Sequence, residues 1–220
     1  MPRFDLFTSI HKSLRAMIYE VGGSLQTADF ADEQDARRAL DALEPVLRHL
    51  QEHHDIEEEF VFPEARPFEP QLIEHLQAQH QEVERLLGAA REALDVSRRA
   101  DPGAAMDAGV GLNRRFNELA AFYLEHLAHE EATLLPATWK HFDDARLMAI
   151  QGSIMASMPP GQLLESLEWM FKGLNRAELV GILGGAKASV PPPALEAIRA
   201  LGAATMAPEA WELVREQAGL

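Results

Sequence analysis

Apolar residues recur at three- and four-residue spacing along most of the chain, the period of helices with one buried face. Phe4, Phe7, Ile10, Leu14, Met17, Ile18 and Val21 predict a first helix from Asp5 to Tyr19, with Gly22-Gly23 as its stop. A polar stretch follows. From about Asp32 a long segment then turns Ala39, Leu40, Leu43, Val46, Leu47 and Leu50 inward and continues to Phe62. Pro45 predicts a kink or a helix start near it, since proline lacks the backbone N–H and crowds the preceding turn. Pro63, Pro67 and Pro70 mark a firm break. The third helix runs from about Gln71 to Ser97 on Leu72, Ile73, Leu76, His80, Val83, Leu86, Leu87 and Leu94. After a turn at Arg99 to Gly103, Leu112, Phe116, Leu119, Phe122, Tyr123, Leu127 and Leu134 carry a fourth, roughly Ala104 to Leu135. Four amphipathic helices on short or medium loops predict an all-α, up-down-up-down four-helix bundle over residues 1–142.

Beyond Phe142 the pattern shortens. Pro159-Pro160, Gly184-Gly185, Pro191-Pro192-Pro193 and Pro208 divide residues 143–220 into five or so brief apolar helices. Trp169, Met170, Phe171, Leu174, Leu179, Ile182 and Leu183 make this stretch too apolar for a free tail. It reads as a C-terminal helical extension that folds onto the bundle or offers a surface to a protein partner.

Composition narrows the function. The chain has 220 residues and no cysteine, which excludes disulfides, zinc fingers, iron–sulfur clusters and thiol catalysis. A net charge of −15 argues against nucleic acid, whose backbone needs clustered Lys and Arg. Most of that charge belongs to the bundle, where 26 acidic and 14 basic residues leave −12. No run reaches the ~20 apolar residues of a membrane span, and the N-terminus has no apolar signal region. A cytoplasmic protein is expected.

Against this background one motif occurs twice. His53-His54-Asp55-Ile56-Glu57-Glu58-Glu59-Phe60-Val61-Phe62-Pro63 and His126-Leu127-Ala128-His129-Glu130-Glu131-Ala132-Thr133-Leu134-Leu135-Pro136 share His, three residues, Glu-Glu, an apolar pair and Pro. Residues four apart lie on one helix face, so each copy aims an imidazole and a carboxylate at one point. Of nine histidines, His11 and His80 add one from each remaining helix. Imidazole and carboxylate ligands without sulfur suit iron, manganese or zinc. Two registers fit the second helix. The proline frame favours His53 with Glu57, and His54 with Glu58 has the same spacing, while His49 lies one turn earlier. His75 and His129 fall about a hundred degrees off the ligand faces and read as surface or supporting groups. Glu20, Asp55 and Glu84 are expected to accept the histidines' other N–H groups.

His11, His53-x-x-x-Glu57, His80 and His126-x-x-x-Glu130 resemble the hemerythrin-like HHE cation-binding domain over residues 5 to 140. The resemblance implies two non-haem iron ions (Fe2+/Fe3+), oxo- or carboxylate-bridged, with Glu57 and Glu130 bridging and the histidines as terminal ligands. It implies a protein that senses or binds dioxygen, nitric oxide or iron. The alternative is a di-iron enzyme acting on peroxide, nitric oxide or ferrous iron, and a metal-free bundle is a third reading. Respiratory hemerythrins carry a second histidine one turn before the third-helix ligand. Leu76 stands there, and Glu84 follows His80 by one turn, so an added carboxylate and a site leaning toward ferric iron are expected.

Other motifs fail. The chain contains no Glu-x-x-His of the ferritin type. Thr133 stands where a zinc protease would need its second histidine, and the glycines from Gly181 to Ser189 lack phosphate-loop spacing.

Overall fold

The computed structural model describes residues 3–220, the side chains of 188 and 189 apart. The elements are α1 (Thr8–Thr27), α2 (Glu33–Ile56), a π-helical turn (Glu57–Val61), α3 (Phe62–Ala65), α4 (Pro70–Arg99) and α5 (Ala105–His141). After them come α6 (Asp144–Ser157), α7 (Pro160–Gly173), α8 (Arg176–Ser189), α9 (Pro192–Thr205) and α10 (Pro208–Ala218). The fold is an all-α bundle with a helical extension, without strands among the described residues. No helix of these is long and apolar enough to cross a membrane.

The first and fourth helices run past their expected ends, the fourth through Pro136 to His141. The first helix does not stop at Gly22-Gly23 but continues to Thr27, because Val21 and Leu25 extend its buried face beyond the glycines. Gly22 also serves packing, since a Cβ there would stand 3.2 Å from the Phe116 ring. Along α1 and its entry, Phe7, His11, Leu14, Ile18, Val21 and Leu25 are all buried, one stripe at helical spacing. The second helix does not start at Pro45. It starts on Asp32, whose carboxylate accepts from the Asp35 N–H, and runs through Pro45 on its exposed side. There water can satisfy the carbonyl that loses its donor.

Contacts divide the chain into two compact units: the stretch up to Phe7 with Met17–Ile154, and Thr8–Ala16 with Met155–Leu220. In the first, α2 and α4 run antiparallel, as Glu44 with Arg98 (2.7 Å) and Glu58 with Gln77 (2.7 Å) show from their opposite ends. α4 and α5 pair the same way, through Gln79 with His126 and Glu69 with His141. An apolar cluster of Phe7, Val61, Phe62, Ile73, Leu76, Leu134 and Ile150 fills the bundle beside the π turn.

The second unit has its own core of Phe171, Leu174, Leu179, Leu183, Ile198, Trp211 and Val214. Prolines open α7, α9 and α10 in the first turn, where no N–H is needed. A capping box of Asn175 and Glu178 opens α8, and Glu178 also takes the Lys12 ammonium at 2.7 Å. Gly173 lies so close to α1 that a Cβ would sit 2.7 Å from the Lys12 carbonyl oxygen.

Candidate metal centre

The ligand face of α2 meets its partners at the π turn. A π turn holds one more residue than an α turn and occurs most often at functional sites. Here it begins on Glu57, closing with the Phe62 N–H on the Glu57 carbonyl. Nothing in the apolar spacing announced it.

Glu57 lies between two groups of nitrogens. One of its oxygens is 3.4 Å from His53 Nε2 and the other 3.5 Å from His80 Nε2. Glu130 Oε1 stands 3.4 Å from His126 Nε2 and 3.8 Å from His80 Nε2. The Nε2 atoms of His80 and His126 face each other at 3.2 Å. Ligand atoms of Glu57, His80, His126 and Glu130 all fall within 4.8 Å of one another, and so do those of His53, Glu57 and Glu130. All five residues are buried, and His11 is wholly buried on the inward stripe of α1.

The outer nitrogens of two histidines are held. His80 Nδ1–H donates to Glu58 at 3.1 Å, and His126 Nδ1–H donates to the Gln79 amide oxygen at 2.9 Å. These bonds fix the rings so that each Nε2 points inward, the arrangement by which supporting groups orient metal-binding imidazoles. The expected supports were Glu20, Asp55 and Glu84. Asp55 instead accepts from Gln51, and Glu84 is exposed and absent from every group of converging ligands. At 3.6 residues per turn Glu84 is advanced about 40° from His80, off the face that Val83 and Leu87 continue. The added carboxylate beside His80 therefore comes from the π turn, as Glu58, and Leu76 is fully buried in the apolar cluster. A second glutamate directly after each ligand-spaced glutamate was the available signal for Glu58.

Around the ligands the protein is tightly packed. Phe62 stacks on one face of His80 at 4.8 Å between centroids, and the His54 ring lies 4.1 Å away. Tyr123 is buried and donates its hydroxyl to the Leu50 carbonyl at 3.0 Å. Burial, with the charges of Glu57 and Glu130 adding to it, pushes its phenol well up. His75 is exposed and His129 half-buried, and their rings meet edge-on at 5.1 Å beside the centre. His49 pairs with Glu52 at 3.2 Å.

Electrostatics favour a cation here. Burial opposes charge on His80, but hydrogen bonds to Glu130 and Glu57 outweigh it and push its pKa up to about 10. Without metal, a proton on His80 partly offsets two buried carboxylates. Burial, then the charge of His80, lowers the pKa of His54. Two buried anions lined by imidazole nitrogens form a donor set that fits divalent first-row metals, since buried charge must be paired or coordinated.

No curated protein and no solved structure matches the chain. The hemerythrin HHE cation binding domain matches residues 3–138, the span that carries all of these ligand residues. With its helical bundle and its buried, doubled His-x-x-x-Glu frame, the chain belongs to the hemerythrin HHE cation-binding family.

Proposed function

We propose that the bundle holds two non-haem iron ions and binds or senses dioxygen, nitric oxide or iron itself. His11 and His53 are assigned to one ion, His80 and His126 to the other, with Glu57 and Glu130 bridging. The observation that carries this reading is the placement of Glu57, with one oxygen toward His53 and the other toward His80. A carboxylate so placed serves two centres at once.

Bound iron would supply a redox-active centre for small diatomic ligands. The side chains do the rest. Glu58 and Gln79 orient the imidazoles, the burial of the carboxylates excludes water, and Phe62 closes one face of His80. A hydrogen bond from a bound imidazole to a carboxylate raises ligand basicity. The Glu58 contact would therefore favour the higher oxidation state of a bound iron. Metal analysis and absorption spectra after anaerobic iron reconstitution test the assignment. Two equivalents of iron support it, and less than half an equivalent of any transition metal refutes it. Turnover of hydrogen peroxide well above free iron, lost in His80→Ala, would shift the reading to an enzyme.

A further inference from the structure

Beside the buried centre lies a second convergence of ligands, on the outer side of the same imidazole. One atom each from His54, Glu58 and His80 fall within 4.8 Å of one another. His54 and Glu58 are four apart at the entry to the π turn, and His80 reaches them from α4 through Nδ1, 3.1 Å from Glu58 Oε1. Gln77 holds the other Glu58 oxygen at 2.7 Å. The set is two imidazoles and one carboxylate. This donor set suits ferrous iron and similar divalent ions.

Of the three, Glu58 reaches the surface: its side chain is 32% exposed, whereas His54 and His80 are buried, as are Glu57 and Glu130. We propose that His54, Glu58 and His80 Nδ1 form an outer capture site for a divalent metal ion, through which the buried centre is loaded. In the metal-free protein the Nδ1 proton of His80 lies on the bond to Glu58. An arriving cation takes the place of that proton, which leaves to solvent. His80 is the handover ligand, since its Nε2 faces Glu57, Glu130 and His126. The negative charge of Glu58 at the surface draws the cation, and the His54 ring, 4.1 Å from that of His80, brings a second imidazole to it.

This inference rests on the reading of a buried centre for two ions, and one experiment separates the two. Full-length protein stripped of metal is mixed with Co2+ in a stopped-flow instrument, and the rise of cobalt absorption is followed for wild type, His54→Ala and Glu58→Gln. Titration gives the final stoichiometry, and chelator competition gives the release rate. The capture site predicts that both variants load about tenfold or more slowly and still reach two equivalents, with wild-type release in His54→Ala, which leaves the bond from His80 to Glu58 in place. Unchanged loading rates in both would overturn it. So would faster release at an unchanged loading rate in His54→Ala, which would make His54 a ligand of the buried centre. Should His54→Ala fail to fold, His54→Phe decides, because it keeps a flat ring against His80 without a ligand nitrogen. Wild-type protein that binds no cobalt would instead defeat the dinuclear reading.

Discussion

Removing one of the two buried carboxylates should have opposite effects with and without metal. Glu130 is fully buried, with its carboxylate 3.4 Å from His126 and 3.8 Å from His80. In chelator it shares its surroundings with Glu57, and both carboxylates act on the His80 imidazole, whose pKa they raise. Glu130→Gln keeps the shape and removes one of the two buried charges. Burying a carboxylate costs several kcal/mol, so sparing one such cost should make the metal-free variant more stable than metal-free wild type, by on the order of 1–3 kcal/mol. Metal reverses the order. At free metal about a hundredfold above the dissociation constant, each filled site adds about 2.7 kcal/mol, and the variant loses much of that gain at both sites. Urea unfolding of both proteins, in chelator and with excess Fe2+ under argon, measures the four stabilities. Equal metal-induced stabilisation in the two proteins would refute the bridging argument, and a less stable metal-free variant would refute the charge argument.

Gly173→Ala should destabilise the second unit by about 1–3 kcal/mol through overpacking, because its Cβ would meet the Lys12 backbone at 2.7 Å; the melting temperature reports it, and no change would show that the helices part freely there. Burial pushes the Glu178 carboxyl up, but Lys12 and the Asn175 N–H outweigh it and hold the pKa below the ordinary value. Its contribution is therefore fully present above about pH 4.3, the unfolded value, and is lost as pH falls through the lowered folded value. The stability gap between wild type and Glu178→Gln should narrow in urea melts from pH 7 down to pH 3. Tyr123→Phe removes a buried hydrogen bond to Leu50 and should cost about 1 kcal/mol in chelator-treated protein, read by urea unfolding.

The four long helices were legible because each carries an uninterrupted apolar stripe, and that signal outweighs local breakers. Gly22-Gly23 and Pro45 misled for the same reason: each looks like punctuation locally, yet Val21, Leu25, Val46 and Leu47 keep the stripe going. The shared frame of His, Glu-Glu and Pro pointed to the residues that line the centre, since helical spacing alone brings each histidine to its glutamate. What supports them was not legible. Glu84 has the right spacing from His80 on its own helix, but the carboxylate that reaches His80 comes from the π turn, and pairing between elements depends on packing that a one-chain pattern does not encode. The π turn was hidden too, because one extra residue in a turn leaves the composition of the segment unchanged.

That turn works like a phase adjuster between two gears. Upstream, His49 and His53 on α2 and Glu57 at the start of the turn face inward; downstream, Val61, Phe62 and Ala65 enter the apolar cluster. Wound instead as an ideal α-helix, at 100° per residue, the same sequence would rotate everything after the turn relative to the ligands. Phe62 would leave the face of His80. The wide turn thus absorbs its extra residue without turning the apolar half away from the cluster.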